Sequence, residues 1–221
     1  MNDPNLLLQF QLFQGMSTED IEQILKNFNL RRLTLSKNKL LFREGESCDT
    51  LFLLVNGKLK AVTYAQNHSY HVTEILRPPY SLQPESLFGL WQHFTQDVFT
   101  ADSTELISID KAEVRKLADQ YLVFRLNLLN LLATRIQKLQ RQTWWSQTLS
   151  TRQRIIQFIR QHISYPAGEK SIKITMQQLA DEIHKSRLNV SRELNKMQQE
   201  EIISISRGVI NIPAIELLLN G

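Results

Sequence analysis

Cysteine is almost absent from this chain of 221 residues, because Cys48 is the only one. A single cysteine forms no internal disulfide and cannot supply the ligand set of a zinc site or an iron–sulfur cluster. Glycine is also scarce, with 7 residues, so there are few loops of the kind that cradle phosphates in enzymes. Since the sequence also lacks a nucleophile elbow and a cluster of metal ligands, we expect a protein that is not an enzyme and holds no metal.

Long hydrophobic runs are missing as well. The most apolar segment, residues 121–133, contains Arg125, Asn127 and Asn130 and is shorter than a bilayer requires. The N-terminal residues MNDPNLLLQFQLF carry no positive flank, which a secretory signal peptide would have. We therefore expect a cytoplasmic protein in a reducing compartment, with no membrane partner.

No sign of charge dominates overall, but charge is unevenly distributed along the chain. The net charge is +4, yet residues 1–110 hold 9 Lys or Arg and 13 Asp or Glu. Residues 111–147 hold 7 and 2, and residues 148–221 hold 10 and 7. An acidic front half and a basic back half predict two separate functions, and the back half is better suited to bind a polyanion.

Residues 30–109 carry the pattern of an antiparallel β domain. Short apolar runs such as TLFLLV and ELISI are separated by turn residues, among them Gly45 and Gly57. Residues 58–64 alternate polar and apolar side chains, as a half-buried strand does. Several strands in so short a segment predict a compact barrel or sandwich.

A long helix is predicted over residues 120–146. Its large aliphatic side chains recur every three or four residues, close to the heptad seam of a coiled coil: Leu122, Leu126, Leu129, Leu132, Ile136 and Leu139. This seam predicts a dimer interface with a second copy of the chain, and the alternative is burial against the chain's own domain. Shorter helices are predicted to begin at Ser17 and Asp110, each followed by an acid at capping-box spacing.

The C-terminal residues predict a winged helix-turn-helix. Residues 148–168 are expected to form a helix, followed by the strand IKIT. Thr175 is expected to cap a second helix over residues 176–183, and a turn at residues 184–185 leads into a third. The last segment, EIISISRGVINI, predicts a β-hairpin around its Arg-Gly pair. This order of elements is that of a winged helix-turn-helix.

The third of these helices carries candidate DNA contacts. Val190, Leu194 and Met197 form one apolar stripe that would attach the helix to its domain, and the polar residues lie off it. Arginine forks suit guanine, asparagine suits adenine, and short polar side chains suit phosphate oxygens. The predicted DNA-binding residues are Thr175, Gln177, Ser186, Arg187, Leu188, Asn189, Ser191, Arg192, Lys196, Ser206 and Arg207.

These segments together resemble the Crp/Fnr family of bacterial transcription regulators. ITMQQLADEIHKSRLNVSRELNKMQQEEIISISRGVINI resembles the family's helix-turn-helix, and LFREGESCDTLFLLVNGKLKAVTY resembles its cyclic-nucleotide-binding β-roll. The resemblance implies an α+β fold with three parts. These are an antiparallel β-roll (a double-stranded β-helix) with flanking helices in residues 1–119, a dimerisation helix in residues 120–147 and a winged helix-turn-helix in residues 148–221.

The same resemblance implies the partners. We expect a homodimer that binds a two-fold symmetric site on double-stranded DNA, with half-sites about 34 Å apart, a spacing taken from the family. RNA polymerase is a further candidate partner, and whether the chain activates or represses is open. The alternative function is a small-molecule sensor or protein-interaction module that does not bind DNA, but dense basic residues on the third helix favour the regulator.

The segment that would bind a cyclic nucleotide departs from the family pattern. Relatives that bind cyclic AMP use a Gly-Glu pair followed by an Arg-Ser pair, whereas here Pro84 precedes Glu85 and no Arg or Lys occurs between Leu82 and Ile109. A cyclic phosphate would therefore lack a charge-assisted partner. The corresponding effector pocket consists of Glu85, Ser86, Leu139 and Gln140. We expect no response to cyclic AMP.

The other known effector groups of the family are also not expected. An iron–sulfur sensor needs four cysteines, and a haem sensor needs an axial ligand, for which His68, His71 and His93 are the candidates. A lone histidine in a β domain is more often a surface residue, so we expect no haem. Cys48 lies in a polar turn and is either redox-active or an ordinary thiol. A small apolar effector and the absence of any effector are both open.

Two positions of the helix-turn-helix also depart from the family. Leu188 stands where relatives commonly have a glutamate, which accepts a hydrogen bond from cytosine N4, whereas leucine can only contact a thymine methyl group. The half-site should therefore differ from the family's usual one at this position. His184 stands at a turn position that often holds glycine, so we expect it to adopt a positive φ.

Overall fold

The computed structural model describes residues 4–142 and 149–220, and its elements follow the predicted order. The strands are β1 (Leu30–Leu35), β2 (Leu40–Phe42), β3 (Thr50–Asn56), β4 (Leu59–Tyr64), β5 (His71–Leu76), β6 (Tyr80–Leu82), β7 (Asp97–Thr100), β8 (Thr104–Asp110), β9 (Lys170–Lys173), β10 (Ser204–Ser206) and β11 (Val209–Ile212). The helices are α1 (Pro4–Leu8), α2 (Thr18–Asn27), α3 (Lys111–Gln120), α4 (Leu122–Gln142), α5 (Thr151–Gln161), α6 (Met176–Glu182), α7 (Arg187–Gln199) and α8 (Ile215–Asn220).

These elements divide into two units. The first comprises Met1–Leu59 and Arg77–Leu139, and the second comprises Lys60–Leu76 and Gln140–Gly221. The β4–β5 hairpin, which the sequence places in the N-terminal domain, therefore groups with the C-terminal residues. The predicted domain boundaries after residues 119 and 147 stay predictions.

The first unit contains the predicted antiparallel β domain. One sheet has the order β1-β8-β3-β6, and β2 pairs with β7. In the central pair, Leu53 lies opposite Ile107 and Leu54 opposite Leu106, and all four side chains are buried. The antiparallel fold expected from the short apolar runs is thus confirmed.

Gly57 supports this sheet through a turn that no other residue fits. Its φ is +86°, and a Cβ there would lie 2.4 Å from the carbonyl oxygen of Ser103. Gly45 has a similar φ of +83° but faces open space. Both glycines predicted at turns therefore adopt a left-handed backbone, and only Gly57 is also required by close packing.

Helices α2 and α3 begin where the sequence predicts, whereas α1 was not predicted. Ser17 caps α2 by accepting a hydrogen bond from the backbone N–H of Asp20. Asp110 is the N-cap residue of α3, but the predicted capping box does not form there, because its carboxylate instead binds Arg31 at 2.9 Å. Along α4, Phe124 is buried within the first unit, whereas Leu129 on the other face is exposed.

The second unit has a sheet of order β10-β11-β9-β5-β4 over a core of helices α5, α6, α7 and α8. Ser150 and Gln153 form a capping box at the start of α5, which ends at Gln161. The prediction of a helix over residues 148–168 was therefore wrong at its C-terminal end. The backbone N–H groups of Ser164 and Tyr165 donate to the Glu74 carboxylate instead of continuing a helix.

Candidate nucleic-acid interface

Helices α6 and α7 form a helix-turn-helix whose turn is fixed by local hydrogen bonds. Thr175 caps α6 in a capping box with Gln178, and the Ser186 hydroxyl accepts from the Asn189 N–H at the start of α7. Between the helices, the Lys185 N–H donates to the Ala180 carbonyl at 3.0 Å. His184 has a φ of +52°, which confirms the expected positive value at this turn.

One apolar stripe attaches α7 to its unit. Val190, Leu194 and Met197 are fully buried, and they belong to the same core cluster as Leu179 and Ala180 of α6. The predicted stripe is confirmed. Because the helix is held along this one face, its other faces are available to a ligand.

Two arginines of α5 hold the ends of the helix-turn-helix, and the sequence pattern did not reveal this. Arg152 donates to both carboxylate oxygens of Glu200, at 2.9 and 2.7 Å, just beyond the C-terminus of α7. This bond lowers the pKa of Glu200. Arg154 donates to the Ile183 carbonyl oxygen at 3.2 Å, at the end of α6. The Arg154 bond satisfies a backbone carbonyl at a helix terminus, where such groups otherwise lack partners.

Four other cations of this region form no ion pair within the described residues. Arg187, Arg192 and Lys196 of α7 are exposed, as is Arg207 between β10 and β11. Over residues 4–142 and 149–220, no carboxylate lies within ion-pair distance of these four side chains. They are thus available for an anionic ligand, whereas Arg152 serves the fold.

Some of the predicted contacts lie around one cleft. Thr175, Gln177, Arg187 and Ser206 line a cavity of roughly 230 Å³ whose floor includes Leu179 and side chains of β10 and β11. The cleft brings the starts of α6 and α7 together with the hairpin. It places four of the predicted residues on one surface.

Other predicted contacts lie on the outward face of α7. Leu188 and Arg192 are exposed and one turn apart, and Ser191 is half-buried. The exposed Asn195 continues the same face at i+3 from Arg192 and was not among the predicted contacts. Its spacing of seven from Leu188 is the signal that would have revealed it.

Three predicted contacts already have hydrogen-bond partners. Ser186 uses its oxygen as an acceptor for the helix cap, so its hydroxyl proton remains available to a phosphate. Thr175 donates its hydroxyl to the Gln178 side chain at 2.8 Å, and Gln177 donates to Asp181 at 2.8 Å. Thr175 must give up this partner to donate to DNA, whereas the Gln177 amide keeps a second N–H. Their roles at DNA stay predictions.

A cation from α4 lies against the segment that corresponds to the effector pocket. Arg135 of α4 forms an ion pair with Glu85 and also donates to the Ser81 carbonyl oxygen at 3.3 Å. The expectation of a pocket without a cation was therefore wrong, because the guanidinium comes from a distant part of the chain. Ser86 is buried next to Glu85, and the side chains of Leu139 and Gln140 lie outside the described residues.

The single thiol is not in an exposed turn. Cys48 is fully buried, and burial together with the negative charges of Asp49 and Glu85 raises its pKa to about 11. Since the thiolate is the reactive form, this environment makes Cys48 inert. The structure therefore supports the ordinary thiol over the redox-active one.

The three histidines considered as haem ligands have other neighbours in the structure. His68 and His71 pack against the ring of Tyr64, with ring centroids 5.3 and 5.7 Å apart, and His93 forms an isolated bridge with Ser47. Burial lowers the pKa of His71. In the described part of the chain, no three His, Cys, Asp or Glu side chains form a group that could hold a metal ion. None of the described helices is long and apolar enough to cross a membrane.

An antiparallel β domain combined with a winged helix-turn-helix defines a class of DNA-binding regulator. Comparisons with known families agree with this architecture. Residues 32–121 match the cyclic nucleotide-binding domain, and residues 153–220 match the Crp-like helix-turn-helix domain. These two matches span most of the chain, which therefore belongs to the Crp/Fnr family of transcription regulators.

Solved structures show the same fold. The catabolite activator protein of Thermus thermophilus is similar with a TM-score of 0.56 and 21% identity, over 96% of this chain and 97% of that one. The sensor domain of the transcriptional regulator DNR from Pseudomonas aeruginosa gives a TM-score of 0.53 and 17% identity, over 66% of this chain and 95% of that one. A comparison with curated protein sequences finds no match.

Proposed function

We infer that the chain is a homodimeric, sequence-specific transcription regulator that binds double-stranded DNA and catalyses no reaction. The observation that carries this inference is the state of α7, which is attached by one buried stripe and exposes Arg187, Asn189 and Arg192. A recognition helix enters the major groove in this way, with its N-terminal residues at the bases. Binding to chromosomal DNA would place the protein in the cytoplasm, with RNA polymerase as a further partner.

The positions of the side chains suggest different roles at DNA. Arg192 lies on the outward face, where a forked donor can bind guanine O6 and N7. Arg187 and Ser206 border the cleft beside the hairpin, and Arg207 lies at the hairpin turn, so these three suit flanking phosphates. Leu188, one turn before Arg192 on α7, is 58% exposed and suits a thymine methyl group.

The effector region supports a regulator that does not respond to cyclic AMP. The Arg135 guanidinium is already neutralised by the Glu85 carboxylate, so a cyclic phosphate would have to displace that carboxylate from its partner. The separated carboxylate would then repel the phosphate. A single buried cysteine likewise supports a regulator without an iron–sulfur cluster.

Selection of bound sequences from random DNA tests the proposal. We expect the full chain to enrich a two-fold symmetric site with half-sites about 34 Å apart. The affinity should fall steeply as salt rises, because phosphate contacts release counterions. If no symmetric motif is enriched, the regulator is ruled out in favour of a sensor or interaction module without DNA binding.

Substitution of Arg192 tests whether the outward face of α7 contacts DNA bases. Arg192→Ala should weaken binding to the selected site by about 1–3 kcal/mol and relax the preference at one base pair. Arg31→Ala is the matched control, since it removes the same charge from an exposed ion pair with Asp110 in the first unit. An equal loss for Arg192→Ala on specific and random DNA would instead make Arg192 a phosphate contact.

A further inference from the structure

The β4–β5 hairpin belongs to one domain by sequence and to another by its contacts. Its residues lie inside the match to the cyclic nucleotide-binding domain, residues 32–121. Lys60–Leu76 nevertheless forms part of the same compact unit as the winged helix-turn-helix. The contacts of this hairpin therefore bear on how the DNA-binding elements are held.

Strand β5 extends the winged-helix sheet. It pairs with β9 in antiparallel register from His71 opposite Lys173 to Glu74 opposite Lys170. Tyr70 and Val72 of the hairpin are buried in the same core cluster as the stripe of α7. The hairpin thus contributes both backbone pairing and apolar packing to the unit that carries the recognition helix.

A buried ion pair sits at one end of this pairing. Glu74 and Lys170 are both fully buried, with Nζ and Oε1 3.5 Å apart. The two Glu74 oxygens also accept from the N–H groups of Ser164 and Tyr165, each at 2.9 Å, and Lys170 donates to the Ala167 carbonyl at 2.7 Å. Glu74 therefore links β5 to the first part of the connection between α5 and β9 and, through Lys170, to the start of β9.

The hairpin turn makes two further contacts, with α5 and α6. The Tyr70 hydroxyl lies 3.0 Å from His162 Nε2, and Nδ1 of the same ring lies 2.7 Å from the Phe158 carbonyl oxygen. Gln178 donates to the Ser69 carbonyl at 3.2 Å while its own oxygen accepts from Thr175, the N-cap of α6. The hairpin is thereby linked to the residue that starts the helix-turn-helix.

We propose that the β4–β5 hairpin is a positioning element of the DNA-binding unit, and that Glu74 holds it in the docked state in which α6 and α7 bind DNA. The contacts of the hairpin reach α5, α6 and β9, whereas Arg187, Asn189 and Arg192 stay exposed when it is docked. A signal that moves this hairpin of the sensor domain would then change DNA affinity. The proposal rests on the DNA-binding function inferred above.

The substitution Glu74→Gln in the full chain tests this role. It keeps the volume of the side chain but leaves the buried Lys170 charge without its counter-ion, which favours undocking. We expect affinity for the selected DNA site to fall by about tenfold or more. Arg192→Ala relaxes sequence preference, whereas Glu74→Gln should weaken all sites because it acts through position.

A cross-link separates positioning from loss of folding. Thr73 lies opposite Ser171 in the β5–β9 register, so T73C/S171C allows a disulfide that holds the hairpin on β9. Oxidation of the E74Q/T73C/S171C chain should restore DNA affinity to within about threefold of the wild type, and reduction should remove it again. A matched control is E74Q with T34C/E105C, a cross-strand pair of the first unit, which should restore nothing.

Each remaining outcome overturns the proposal. If the E74Q chain binds the selected DNA site as tightly as the wild type, Glu74 does not position α6 and α7. Failure of the disulfide to restore a folded E74Q chain would show that docking is not the cause. Loss of DNA binding on oxidation of T73C/S171C alone would show that the docked state is not the binding state. A wild-type chain that binds no DNA would instead contradict the function on which the proposal rests.

Discussion

The exposed stripe of α4 predicts dimerisation that a single substitution should weaken measurably. Four of the six seam residues are about half exposed or more in the single chain: Leu122, Leu126, Leu129 and Ile136. Leu132 is half-buried, and the side chain of Leu139 lies outside the described part of the structure. The opposite face of α4 is already buried in the first unit through Phe124, so the stripe is left for a partner.

The size of the effect follows from how much surface the stripe still exposes. Full burial of an aliphatic side chain contributes about 1.5–3 kcal/mol. Leu129 is 56% exposed, so a partner can still contribute about 1 kcal/mol there. In a symmetric dimer the loss on Leu129→Ala counts twice, about 2 kcal/mol, which raises the dissociation constant by about 30-fold. Leu129→Asp should cost more, because it also places a charge in the seam.

Sedimentation velocity over a range of protein concentrations measures this change. The wild type should be dimeric at low micromolar concentration, whereas Leu129→Asp should be monomeric with an unchanged circular dichroism spectrum. Leu217→Asp is the control, because Leu217 is a similarly exposed leucine, at 66%, on α8 of the second unit. A Leu129→Asp chain that dimerises like the wild type would refute the seam and place the interface elsewhere.

Two further predictions concern stability and reactivity. Gly57→Ala should destabilise the fold by more than the about 1–2 kcal/mol that a left-handed backbone costs, because its Cβ also meets a carbonyl oxygen, whereas Gly45→Ala should show only the backbone cost in denaturant melts. A second prediction concerns Cys48. At pH 8 its rate of labelling by thiol reagents should be low until urea unfolds the chain. Because the folded pKa of Cys48 is raised, the neutral thiol should stabilise the fold fully below pH 9, and this stabilisation should decline towards pH 11. Cys48→Ala should abolish this pH dependence of the free energy of unfolding. Rapid labelling of the native chain would contradict the buried, protonated thiol on which both expectations rest.

Features that depend on neighbouring residues could be predicted from the sequence. The caps Ser17, Thr175 and Ser186 each bind a backbone N–H three residues on, so the pattern and the bond lie in the same turn. The stripe of α7 likewise follows from the helical period alone. Asp110 shows the limit of this reasoning, since its carboxylate had a competing partner, Arg31, 79 residues away.

Features formed between distant residues could not be predicted in this way. Glu74 binds the backbone just after the end of α5, but it lies 90 residues from the Ser164 N–H that it binds. Arg135 supplies a cation to Glu85 across 50 residues, which a reading of the local segment could not reveal. Glu200 likewise binds Arg152 across 48 residues. Periodicity carries no information about such pairs, because any solvated charge fits the same pattern.

By itself, the sequence determined the order of elements, the buried stripe of α7 and the exposed residues Arg187 and Arg192 on its other faces. These follow from side-chain period and capping, which act within a few residues. Only the tertiary structure decided that the β4–β5 hairpin joins the DNA-binding unit through Glu74 and that Cys48 is buried and inert. Strand pairing and burial depend on which distant segments meet, and that choice is made by the packing of the whole chain.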